Sequence, residues 1–127
     1  MSKEDSFENL KIWQEGHRLM LAVYKATSSF PKSEIYGLVS QVRSAALSVP
    51  SNIAESEGRY HYADSIKFIL NARGSAFEVR SQLRAARDLN YLDSKVFETL
   101  DEDYAILIKS INSYINYLER RKEDGKA

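Results

Sequence analysis

From Phe97 to Leu118 apolar side chains return at alternating intervals of three and four residues, at Phe97, Leu100, Tyr104, Leu107, Ile111, Tyr114 and Leu118, with neither proline nor glycine among them. An α-helix brings such a series onto one side, because its turn of about 3.6 residues lies between those spacings. A stripe about six turns long cannot stay in water alone and requires other helices to cover it. Asp93 is placed as the N-cap of this helix, which the pattern puts at about 94–121, with the charged "ERRKEDGKA" fraying behind it.

The rest of the chain obeys the same period. Two prolines and five glycines are all the breakers in 127 residues. A first helix spans about 9–29, with Trp13, His17, Met20 and Tyr24 on one line and Ile12, Leu19, Val23 and Phe30 on another, an apolar arc wide enough for two helix neighbours. "FPKSE" breaks it, since Pro31 disfavours helical geometry at Phe30, and Ser33 is positioned to cap a second helix of about 34–57. "EGRYH" supplies the next turn, with Gly58 free to enter left-handed conformation, and a third helix covers about 62–89. Four segments of similar length joined by short turns make an all-α, antiparallel four-helix bundle, a single domain over 1–127 with short N- and C-terminal tails.

Composition narrows the partners. Lys plus Arg and Asp plus Glu are 18 each, so an anionic partner must be met by a local patch rather than by net charge. The chain has no cysteine, its N-terminus "MSKEDSFENLK" is polar, and no apolar run reaches membrane-spanning length, so a cytoplasmic protein without a membrane partner is expected.

Two polar lines exceed what a core needs. On helix two, Val39, Val42, Ala46, Val49 and Ile53 form the core line, whereas Gln41, Ser48, Asn52, Glu55 and Arg59 run beside it through "SVPSNIAESEGR". Pro50 within that stretch removes one intrahelical hydrogen bond and is expected to bend the helix. On helix three, Phe68, Ala72, Val79, Leu83 and Ala86 form the core line, and a second line carries Ile66, Leu70, Arg73, Phe77, Arg80, Arg84 and Arg87. Arginine interleaved with apolar residues suits a protein interface or, with Lys67, nucleic-acid phosphates. It equally suits a surface whose arginines pair with acids of the next helix, and acidic "LDEDY" (100–104) must lie near any basic face.

Motifs for chemistry are sparse. His17 and His61 lack the Glu-x-x-His spacing of a di-iron bundle, no "GxSxG" elbow surrounds Ser48 or Ser75, and "ESEGR" and "ARGSA" have too few glycines to wrap a phosphate. Glu55 and Glu78 on adjacent helices are a pair of acids with no nucleophile, metal set or cofactor loop beside them, so neither enzymatic activity nor a cofactor is expected. Tyr60, Tyr62, Tyr114 and Tyr117 admit two readings, a base-stacking platform or amphipathic packing at helix ends.

"FENLKIWQEGHRL", "FPKSEIYGLVSQVRSAALSVPSNIAE", "GR" and "ARGSAFEVRSQL" occur in the order found in bacterial 23S rRNA intervening-sequence proteins, and the chain resembles that family over about 7–118. The resemblance implies a four-helix bundle that assembles as a homopentameric ring without established enzymatic activity. It also extends to the accessory variability determinant of diversity-generating retroelements, which implies nucleic acid or a protein as a further partner. The matching positions are Gln41, Arg43, Ser48, Asn52, Glu55, Arg59, Ser75 and Glu78; the family's usual Asn-Ile-Ala-Glu-Gly departs here, with Ser56 after Glu55. In such a ring the polar stripe of helix two, with Arg43, Ile66, Leu70, Phe77 and Glu78, is the expected subunit contact, and Arg73, Arg80, Arg84, Arg87 and Lys67 are the expected nucleic-acid contacts.

Overall fold

A computed structural model describes residues 6–126 and contains four helices: α1 (Lys11–Thr27), α2 (Leu38–Glu57), α3 (Tyr62–Asp88) and α4 (Ser94–Lys126). Short 3₁₀ turns at Phe7–Asn9 and Lys32–Glu34 precede α1 and α2. Each helix packs on the next in sequence and α4 closes on α1, which is the up-down antiparallel bundle the periodicity predicts. Among the described residues no helix is long and apolar enough to cross a membrane.

The core is the convergence of the apolar lines. Leu19 and Val23 from α1, Val42, Val49 and Ile53 from α2, Ile69, Val79 and Leu83 from α3, and Tyr104 and Ile111 from α4 are almost wholly shielded from water. On α3 the line is rotated from the one spacing picks out: Ile66 and Ile69 are buried and Phe68 is only half-buried. The cause is that α3 packs on both α2 and α4, so its buried arc is wide and includes the side that Ile66 shares with the arginines.

Helix ends differ from expectation at four places. Helix α2 begins at Leu38, because Lys32–Glu34 forms a 3₁₀ turn and the Glu34 carboxylate, not Ser33, accepts the Leu38 N–H at 3.1 Å. Gly58 keeps a right-handed φ of −82°. The left-handed residue is instead Asn90 (φ 64°), where the Asn90 N–H donates to Arg87 O and the Tyr91 N–H to Ala86 O, each at 2.9 Å, closing α3 in a Schellman motif. Helix α4 continues to Lys126 rather than fraying at 121, and a Cβ added at Gly125 would stand 4.0 Å from the Tyr62 ring. Asp93 caps α4 as predicted, its carboxylate accepting from the Lys95 N–H at 3.0 Å.

Helix α2 runs through Pro50, whose ring is buried against α1 where Gly16 leaves room. The start of α1 (Lys11, Ile12) lies beside Ser110, Ser113, Tyr114 and Tyr117 of α4, and Leu10, the end of α2, the α2–α3 turn and the start of α3 gather round Tyr114, Tyr117 and Leu118.

Candidate interface on the second and third helices

The polar stripe of α2 divides into residues that tie the chain to itself and residues that face outward. Arg43 is turned back onto α1, donating from Nε to Thr27 Oγ1 (2.9 Å) and from Nη2 to Tyr24 O (3.1 Å), with its guanidinium carbon 4.7 Å from the Tyr24 ring centre. Ser48 is half-buried at the α2–α3 seam, 2.9 Å from Ser75 Oγ, and accepts from Asn52 Nδ2 at both its hydroxyl and its carbonyl oxygen. Gln41, Glu55 and Arg59 are exposed, and Arg59 pairs with Glu55 at 2.7 Å.

The arginines of α3 lie along the seam with α4. Asp101 receives two of them: Arg84 in a bidentate grip (2.7 and 3.0 Å) and Arg80 through Nε (2.8 Å). Those hydrogen bonds, with Arg84 first, hold the Asp101 carboxyl down to about 2. Arg73 donates to Asn112 Oδ1 at 2.8 Å, and Arg87 pairs with Asp88 while lying 4.4 Å from the Phe97 ring centre. Lys67 is exposed.

Between and beside these cations the apolar members of the line remain in water. Phe77 is 51% exposed and Leu70 40%, with Gly74 between them open to solvent, whereas Ile66 belongs to the core. Glu78 is exposed beside Gln82. One face of α3 therefore presents an apolar ridge edged by guanidinium groups that α4 holds in place.

A matching family model covers residues 8–113 and describes the 23S rRNA-intervening sequence protein. The chain belongs to the 23S rRNA-intervening sequence protein family. A crystal structure of a protein of unknown function from the S23 ribosomal protein family of Bacteroides thetaiotaomicron VPI-5482 is similar, with a TM-score of 0.74 and 20% identity. It covers 82% of this chain and 97% of its own. At that identity the likeness is one of fold. No curated protein matches the chain.

The family member also gathers residues that sequence spacing leaves far apart. At the end of the bundle where α1 starts, a cleft of about 630 Å³ is lined by Tyr60, Tyr62, Tyr114 and Tyr117, together with Arg59 and Glu57. The Tyr114 and Tyr117 rings stack at 5.7 Å with 27° between planes, and burial pushes the Tyr114 hydroxyl up to about 12. The Tyr62 hydroxyl beside Arg121 raises the guanidinium pKa. Sequence spacing marks the four tyrosines individually, but only the register of α4 against α3 brings them to one cleft. His17, on the Trp13 line, stacks on the indole at 4.7 Å and lies outside this cleft.

Proposed function

We propose that the chain is a non-enzymatic assembly module: a four-helix subunit that closes with copies of itself into a ring, five-fold as the family resemblance implies. The observation that carries this reading is the state of the α3 ridge. Phe77 and Leu70 are left exposed while Arg80 and Arg84 are anchored by Asp101, so the ridge is pre-organised and its largest uncompensated feature is apolar. Closed rings are built from two different surfaces that meet head to tail. The exposed part of the α2 stripe, Gln41 with the Glu55–Arg59 pair, is a polar surface that suits the rim of such a contact.

Light scattering of the purified protein tests this reading. A mass near five chains is expected for the wild type, and Phe77→Asp should yield a folded protein of lower mass, because Phe77 is half in water and its loss costs the core little. A wild-type monomer, or a folded Phe77→Asp variant of unchanged mass, sinks the proposal.

A second reading, nucleic-acid binding along the same edge, is favoured by the charge count at Asp101. Two arginines share that one carboxylate and Arg73 has a neutral partner, so the α3–α4 seam keeps positive charge. Binding of this kind weakens steeply with salt and is shared across sequences. Arg73→Ala with Arg84→Ala should then weaken a labelled RNA, and RNA affinity that ignores both changes speaks against it.

A further inference from the structure

The tyrosine cleft lies at the end of the bundle where α1 starts. Leu10, the end of α2, the α2–α3 turn and the start of α3 surround Tyr114, Tyr117 and Leu118 of α4 there and leave an open groove. A second hollow of about 360 Å³, lined by Lys11, Ser110 and Ser113, adjoins the first at Leu10, Tyr114 and Tyr117.

Its aromatic rings are unequally used by the fold. Tyr114 is half-buried and serves as the floor, whereas Tyr60 is 94% exposed and Tyr117 46%. Tyr60 stands on His61 edge to face at 4.9 Å, which holds the ring at the rim without covering it. Large rings held in water at two positions of one groove offer faces on which planar groups stack. Cations sit beside both: Arg59, its guanidinium laid 4.4 Å over the Phe68 ring and paired with Glu55, and Arg121 against Tyr62.

We infer that this groove holds a single-stranded nucleic acid, with bases stacked on Tyr60 and Tyr117 and backbone phosphates at Arg59 and Arg121. A strand fits better than a free nucleotide because the groove has two stacking positions and lacks a loop that wraps a phosphate. A duplex fits less well, since its bases already cover each other's faces. Glu55 and Glu57 near the arginines keep the groove close to neutral. Stacking therefore carries the affinity, and a salt dependence set by about two phosphate contacts, a log–log slope of about −1.4, is expected. This site is separate from the α3 seam and does not rest on the assembly reading.

Fluorescence anisotropy with a labelled oligoadenylate octamer, with AMP as the free-nucleotide comparison and light scattering on the same samples, tests the inference. The octamer should bind and AMP bind at least tenfold more weakly. Tyr117→Ala should weaken the octamer about tenfold, Tyr117→Phe should retain affinity, and Tyr36→Ala, a fully exposed ring outside the groove, should change nothing. Arg73→Ala with Arg84→Ala, whatever it does to binding along the α3–α4 seam, should leave the Tyr117-dependent part of the affinity intact. No octamer binding at millimolar protein, an unchanged Tyr117→Ala variant, AMP binding as tightly as the strand, or loss confined to the Arg73 and Arg84 variants would each overturn it. A failed ring assembly with intact Tyr117-dependent binding would remove the assembly reading alone.

Discussion

Gly16 of α1 lies directly against Pro50 of α2: a Cβ on Gly16 would stand 3.7 Å from the proline Cδ and 3.2 Å from Val49 Cγ1. The two residues explain each other. A proline inside a helix costs about 3 kcal/mol where it is exposed, but here its ring is buried against the neighbouring backbone, which approaches because glycine has no side chain.

Gly16→Val should therefore crowd Val49, a fully buried β-branched residue with little rotamer freedom, and lower stability by about 1–3 kcal/mol. Urea denaturation of the two proteins measures the difference. The gain in helix propensity over glycine, under about 1 kcal/mol, should offset only part of it.

Asp101 makes stability depend on acid. Its folded-state pKa of about 2 is lowered by Arg84 and Arg80, so its contribution is full above the unfolded value near 3.8 and is lost as pH falls from about 4 through 2. For a carboxylate 17% exposed that contribution is about 2 kcal/mol. Asp101→Asn should be less stable than wild type by an amount of this order at pH 6, and the gap should close on approaching pH 2.

Tyr104 is fully buried with a hydroxyl that finds no hydrogen-bond partner among the described residues. Burial pushes its pKa far up. Tyr104→Phe removes an unsatisfied polar group and keeps the ring, so it should raise stability by about 1 kcal/mol, read as a higher thermal midpoint.

Asn90 holds the left-handed position that ends α3. Asn90→Gly should be neutral or slightly stabilising, and Asn90→Val should cost about 1–2 kcal/mol, because a β-branched side chain clashes with its own backbone at positive φ. Denaturation midpoints of the pair should differ in that order.

The number of helices, the all-α class, the Asp93 cap and most of the core are legible along the chain, because each depends on residues within one or two turns of each other. The 3–4 run from Phe97 to Leu118 is legible for that reason: six of its seven members are buried in the structure and the seventh, Tyr114, is half-buried. Its alternative of arginines pairing with the next helix was also legible from "LDEDY", though not which acid would serve.

The remaining contacts come from how whole helices pack on one another. That Asp101 takes both Arg80 and Arg84, that Ser48 meets Ser75, and that Arg43 turns inward to Thr27 depend on the rotation and register of whole helices, which are set by packing between distant segments. The rotation of α3 also moved Ile66 into the core and left Phe77 and Leu70 outside. The tyrosine groove belongs to the same class: Tyr60 and Tyr62 are far from Tyr114 and Tyr117 in the chain, and they meet only through the register in which α4 packs on α3.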